Sequence, residues 1–185
     1  MNLHLDTQLF SQTLRAASQH LKINLGFVEK DYWITLVLRR LSRSKYSDQA
    51  VFKGGTSLSK GYRLIDRFSE DVDLAIVNTT HKTGNEIKTI IRHLEKEITD
   101  ELTEFHEEGI TSKGSRYRKS LFTYPTIQKN DPNNRLIVEL NSFANPIPFQ
   151  KRLIQSLLFD FLDQTDNRSF TDTYQLHPFE INILN

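Results

Sequence analysis

Phe52-Lys53-Gly54-Gly55-Thr56-Ser57-Leu58-Ser59-Lys60 is followed a few residues later by Arg67-Phe68-Ser69-Glu70-Asp71-Val72-Asp73-Leu74. The first segment reads as a short strand, Gln49 to Lys53, running through two glycines into a helix whose inward face would be Leu58, Tyr62 and Ile65. Glycine lets the backbone approach a ligand closely. The N–H groups at the start of a helix favour phosphate. Thr56 or Ser57 is placed to cap that helix, and Ser57 and Lys60 add donors. This is not a Walker A loop, because Lys60 is followed by Gly61 rather than by Ser or Thr. The second segment leads into a strand, Val72 to Val77. There Asp71 and Asp73 stand two residues apart and so share a face, while Val72 and Leu74 point into a core. Two carboxylates on one face repel, and a shared divalent cation relieves that repulsion. Taken alone, the first segment is an ordinary tight turn and the second an ordinary solvated strand face. Their succession suggests phosphate and metal chemistry.

Working outward, Leu136-Ile137-Val138-Glu139-Leu140-Asn141 repeats the alternation, with Glu139 and Asn141 opposite an apolar face. If this strand neighbours the aspartates, Asp71, Asp73 and Glu139 together offer the oxygen ligands that Mg²⁺ prefers. Its expected limits are Arg135 to Phe143, and it follows a strand over Tyr117 to Tyr124 through Pro125 and the turn Asn130-Asp131-Pro132-Asn133-Asn134.

On the N-terminal side, Asp6 is placed to cap a first helix carrying Leu9, Phe10, Leu14, Ala17 and Leu21, ended by Gly26. A second helix runs from Val28 to about Leu41, apolar nearly all round and therefore buried on two sides. An amphipathic helix with Ile87, Ile91, Leu94, Ile98, Leu102 and Phe105 on one stripe precedes a loop from Gly109 to Ser115. Another, with Phe149, Leu153, Ile154, Leu157, Leu158, Phe161 and Leu162, follows Pro146 and Pro148. Strand-like pieces at Tyr174 to Leu176 and Phe179 to Leu184 end the chain. Alternating helices and strands predict a mixed α/β (α+β) fold, a sheet backed by helices.

With 185 residues, 37% hydrophobic and 25% charged, the chain suits one globular domain with a real core. No apolar run is long enough to cross a bilayer, no secretory pattern opens the chain and no cysteine is present, so a cytoplasmic protein is expected. The net charge of +1 argues against a generic nucleic-acid binder, although global charge alone decides nothing. Basic runs at Arg39 to Lys45 and Lys113 to Lys119 flank an acidic stretch from Glu95 to Glu108. The six histidines are scattered without metal-ligand spacing, and no Gly-x-Ser-x-Gly elbow surrounds Ser57.

Val28-Glu29-Lys30-Asp31-Tyr32-Trp33, Phe52 to Lys60 and Arg67 to Leu74 together resemble the AbiEii family, nucleotidyltransferase-fold toxins of abortive-infection toxin–antitoxin systems. The resemblance implies a nucleotidyltransferase-like core over residues 1–145. Residues 146–185 would begin a C-terminal helical region, present here only in part. In the family that region carries a further lysine and aspartate, and no such pair follows in this chain. The resemblance also implies Mg²⁺-dependent transfer of a nucleotide from a nucleoside triphosphate to an acceptor, tRNA in some members, and an antitoxin as partner. By that likeness Gly54, Gly55, Thr56, Ser57 and Lys60 hold the triphosphate. Asp71, Asp73 and Glu139 hold the metal, and Asp71, Asp73 and Lys60 are catalytic. The alternatives are nucleotidyl transfer to a small molecule or a protein, and a non-catalytic nucleotide- or partner-binding module.

Overall fold

The computed structural model describes residues 1–62, 71–128, 134–143 and 145–185. Ile65, the Arg67-Phe68-Ser69-Glu70 part of the second segment, and the turn at 130–133 lie outside the described residues.

A 3-10 turn at Leu3–Leu5 precedes α1 (Thr7–Leu21) and α2 (Leu25–Arg43). Asp6 caps α1 as expected, its side chain accepting from the Leu9 N–H at 3.0 Å. Gly26 does not end that unit. Lys22 closes α1 in the left-handed conformation, and Asn24 caps α2 by accepting from the N–H of Gly26, which lies in the first turn of α2. The chain then forms β1 (Ala50–Lys53), α3 (Gly54–Tyr62), β2 (Asp71–Ile76) and α4 (Gly84–Ile98). A complete capping box between Thr83 and Glu86 opens α4. Next come β3 (Thr103–Phe105), β4 (Ser112–Lys113), β5 (Tyr117–Thr123), β6 (Arg135–Asn141), β7 (Phe149–Ile154), α5 (Leu157–Gln164), α6 (Arg168–Thr173) and β8 (Phe179–Leu184).

Among the described residues, seven strands lie in the order β3-β5-β6-β2-β1-β8-β7, with β4 paired to β5 outside that path. The sheet is mixed: β2 runs parallel to β6 and β8 parallel to β1, while the remaining pairs are antiparallel. One face carries Phe52, Val72, Leu74, Leu136, Val138, Leu140, Ile181 and Ile183. It packs against Ile34, Val37, Leu38 and Leu41 of α2 and Ile87, Ile91, Leu94 and Ile98 of α4. Each of these side chains contributes roughly 1.5–3 kcal/mol on burial. The other side of α2, with Val28, Tyr32, Trp33 and Leu36, joins a second core with Phe10 and Leu14 of α1, Leu158 and Leu162 of α5, and Tyr124. Trp33 stacks on Tyr124, ring centroids 5.4 Å apart. Helix α2 is therefore buried on two sides, as its composition predicts.

Three expectations need correction. Leu102 and Phe105 do not extend the α4 stripe, because the helix ends at Ile98 and Phe105 lies in β3. Residues 149–154 form an edge strand rather than the start of a helix. Only Ile154 among them is fully buried, Lys151 and Arg152 guard the edge, and Ser156 caps α5 by accepting from the Phe159 N–H. The region expected to be a loop between Gly109 and Ser115 contains β4. Residues 146–185 contribute β7, α5, α6 and β8; β8 lies against β1, and its Ile181 and Ile183 belong to the principal core.

Candidate active site

Strand register builds the site. Asp73 of β2 is paired laterally with Glu139 of β6 on one side and Lys53 of β1 on the other, and Lys119 of β5 is paired with Glu139. Lateral partners share a face. The sheet therefore carries a row reading Lys53, Asp73, Glu139, Lys119, two carboxylates between two ammonium groups. Asp71 lies two residues before Asp73 on that face, while Val72 and Leu74 are fully buried on the other. The expected neighbourhood of Asp71, Asp73 and Glu139 is present.

Asp73 has its affinity for a proton pushed above the usual aspartate range. Burial is the main cause, with Glu139 and Asp71 adding to it and Lys53 and Lys119 opposing it. Glu139 is held from β5 and from within its own strand. The Tyr117 hydroxyl donates to Oε2 at 3.3 Å, and the Asn141 amide donates to Oε1 at 3.4 Å. Burial, then Glu139, pushes the Tyr117 phenol up.

Gly54 shows why a glycine must enter α3. Its φ is +78°, and a Cβ there would sit 2.2 Å from Asp73 Oδ2, far inside any tolerable contact. The backbone of the turn thus lies directly against the carboxylate. Gly55 is the second residue of α3. Neither Thr56 nor Ser57 caps the helix. Both are buried, and each hydroxyl donates to a main-chain carbonyl: Thr56 to Asp71 at 2.5 Å, Ser57 to Gly54 at 2.8 Å. Thr56 ties the glycine turn to the start of β2 and Ser57 closes the turn on itself, while Leu58, expected to face inward, is exposed.

Lys60 departs furthest from expectation. Its ammonium contacts Asp31 Oδ1 at 2.5 Å and the Gln155 carbonyl at 3.2 Å, and the other Asp31 oxygen accepts from the Leu157 N–H at 2.8 Å. The lysine expected at the triphosphate instead joins α3 to α2 and to the start of α5. The polar start of α2 is structural in the same way, since Glu29 accepts from Thr126 Oγ1 and from the Ile127 N–H. Much of the basic clusters also serves internal contacts. Arg39 donates to the His177 carbonyl, Arg40 reaches the Asp100 carbonyl and Glu101, and Arg118 pairs with buried Glu95.

The donors at Asp71, Asp73 and Glu139 are all carboxylate oxygens, the kind a hard divalent cation takes, and their backbone placement suits one. Among the described residues, though, no three acidic or histidine side chains already converge as a metal-binding group. A cleft of about 540 Å³ opens elsewhere, lined by His4, Phe10, Trp33, Glu101 and Thr126.

The sequence places Asn141 beside Glu139 but gives no sign that Lys53, Lys119 and Tyr117 join them. Their alternation is legible, but their place beside the carboxylates depends on strand pairing, which spacing does not specify.

The family model described as nucleotidyl transferase AbiEii toxin, type IV toxin–antitoxin system, matches residues 36–184. The chain belongs to the AbiEii family. That match takes in β1, the glycine turn, Asp71, Asp73, Glu139 and β8. Among solved structures, the chain is similar to MenT4, a nucleotidyltransferase toxin from Mycobacterium tuberculosis H37Rv. The two are 20% identical with a TM-score of 0.51, over 77% of this chain and 46% of that one. It is also similar to JHP933 from Helicobacter pylori, at 19% identity and a TM-score of 0.41, over 63% and 44% of the respective chains. This AbiEii chain thus spans less than half the length of either structure. A search of curated proteins finds no match. The likeness to MenT4 supports the fold, an open mixed sheet flanked by helices. No helix among the described residues is long and apolar enough to cross a membrane.

Proposed function

We propose that this AbiEii chain carries the front of a nucleotidyltransferase site that moves a nucleotide from a nucleoside triphosphate to the acceptor end of tRNA. The observation that carries this reading is the lateral pairing of Asp73 with Glu139 while the Gly54 backbone abuts Asp73. The glycine turn, read as the phosphate-binding element, and the acidic row thus meet edge to edge in this proposal.

In this reading the main-chain N–H groups at the start of α3, through Gly54, Gly55, Thr56 and Ser57, receive the β- and γ-phosphates. Asp71, Asp73 and Glu139 would hold Mg²⁺, which when bound supplies charge neutralisation at the phosphates. Lys53 and Lys119 flank the row and draw the polyanion toward it. The acceptor hydroxyl attacks the α-phosphorus, the bond to the β-phosphate oxygen breaks, pyrophosphate leaves and the hydroxyl proton passes to solvent. Lys60 acts as a positioning residue by fixing α3 against Asp31. A cognate antitoxin and a cytoplasmic setting, where tRNA is available, complete the proposal.

The test is transfer of label from each α-labelled nucleoside triphosphate to tRNA in the presence of Mg²⁺. Transfer should fall at least a hundredfold in both Asp71→Asn and Asp73→Asn. Labelling of a protein or a small molecule but not of tRNA would replace the acceptor. Absence of any transfer by well-folded protein would refute the reading.

A further inference from the structure

The acidic row has two unlike flanks. On the β1 side, toward the start of β2, stands the glycine turn that meets Asp73. On the β5 side, toward the end of β6, stands an aromatic pair. The rings of Tyr117 and Phe143 are stacked, centroids 6.3 Å apart and planes 22° from parallel. Tyr117 pairs laterally with Asn141, one two-residue step beyond the Lys119–Glu139 pair, so the shelf begins about 7 Å along the strand from Glu139. The Tyr117 hydroxyl donates to Glu139, which ties the inner ring to the row. The outer ring is Phe143, and it is 70% exposed.

A phenylalanine stacked on a tyrosine at the edge of a charged row presents a flat π-face to water, and such a face accepts another flat π-face. Nucleobases stack on such rings whatever their identity. We infer that Tyr117 and Phe143 form a stacking shelf for an unpaired nucleobase, that of the acceptor strand's terminal nucleotide. This rests on the nucleotidyltransferase reading above and adds to it which flank the acceptor uses. In-line displacement requires the attacking hydroxyl to arrive opposite the departing pyrophosphate. The glycine turn that would take the pyrophosphate and the aromatic pair lie on opposite sides of the carboxylates, so the shelf stands on the attacking side.

The probe is a 5′-fluorescein-labelled single-stranded RNA of six nucleotides, its affinity for the full chain measured by anisotropy. Nucleoside triphosphate affinity with Mg²⁺ is measured in parallel. Phe143→Ala should weaken the oligonucleotide about tenfold or more and leave the triphosphate affinity and the melting temperature unchanged, since the ring is mostly in water. Phe143→Trp should restore the oligonucleotide. An oligonucleotide lacking its 3′-terminal base should bind wild type and Phe143→Ala alike.

Loss of triphosphate affinity in Phe143→Ala, with oligonucleotide affinity kept, would assign the shelf to the incoming nucleotide and overturn the inference. Unchanged binding of both, or no binding of the oligonucleotide by wild type, would overturn it as well. If label transfer to tRNA persists in those cases, only the shelf has failed. If transfer is also absent, the underlying reading has failed with it.

Discussion

Gly54 and Asp73 meet at one point, and each constrains the other. The glycine has to be achiral twice over, once for its φ of +78° and once because the Asp73 carboxylate occupies the space a Cβ would need. The aspartate sits half-buried beside two other carboxylates, with a raised proton affinity. Its protonated form is therefore favoured by folding. Its contribution to stability is fully present below the ordinary aspartate range and is lost as pH rises through its raised value. Gly54→Ala and Asp73→Asn should accordingly move stability in opposite directions in metal-free buffer at neutral pH. The alanine should cost at least about 1–2 kcal/mol from its left-handed backbone alone. The asparagine should raise the melting temperature, by an amount that shrinks as the buffer is taken toward pH 4. Thermal and urea denaturation across pH read both. A melting temperature lowered by Asp73→Asn at neutral pH would show that its hydrogen bonding outweighs the repulsion.

At the scale of elements, the pieces visible in the sequence were those written in local chemistry. The Asp6 cap, the strand leading into two glycines and the alternation around Asp71 to Leu74 and Leu136 to Asn141 each need only a few neighbouring residues. What was hidden depends on partners far away. Lys60 looks like a phosphate ligand because it lies one turn into a helix behind a glycine pair, yet Asp31, 29 residues earlier, takes its ammonium. Residues 149–162 look like one helix because Phe149, Leu153, Ile154, Leu157, Leu158, Phe161 and Leu162 recur at helical spacing, and the Ser156 cap that divides them is a quieter signal than the hydrophobic run. The Lys60–Asp31 pair is deeply buried, with side-chain exposures of 8% and 11%. Asp31 also satisfies the Leu157 N–H. Asp31→Ala should therefore destabilise the protein by about 3–5 kcal/mol, leaving a buried ammonium without its counter-ion. Lys60→Met combined with Asp31→Leu should recover a good part of that loss. Chemical denaturation of the single and double variants gives the coupling directly. A coupling near zero would return Lys60 to the list of groups free to meet a phosphate.

Across the whole molecule, strand alternation separates the face that carries the acidic row from the face that builds the core. α2 and α4 cover one face, where Phe52, Val72, Leu74, Val138 and Leu140 lie. The carboxylate row, its two lysines and the aromatic pair occupy the other. A substitution can thus disable the row without opening the core, and this is why carboxylate-to-amide variants are useful tests. Both edges are blunted, by the very short β3 on one side and by Lys151 and Arg152 of β7 on the other, so the sheet offers little for edge-to-edge association.

The position of β8 carries one more consequence, for the order of events during synthesis. β1 holds Lys53 and leads into Gly54, and its second neighbour is a strand made about 130 residues later, Phe52 lying beside Ile183. A ribosome releasing this chain exposes every carboxylate of the row long before it releases the strand that seals β1 into the sheet. Such distant pairing forms late. Arrested nascent chains lacking residues 179–184 should be cut readily by protease within residues 50–76. Chains extended by a linker long enough to clear the exit tunnel should be protected there. Until β8 is free, Lys53 and the glycine turn are held in the growing chain without one of the two strands that flank β1 in the fold.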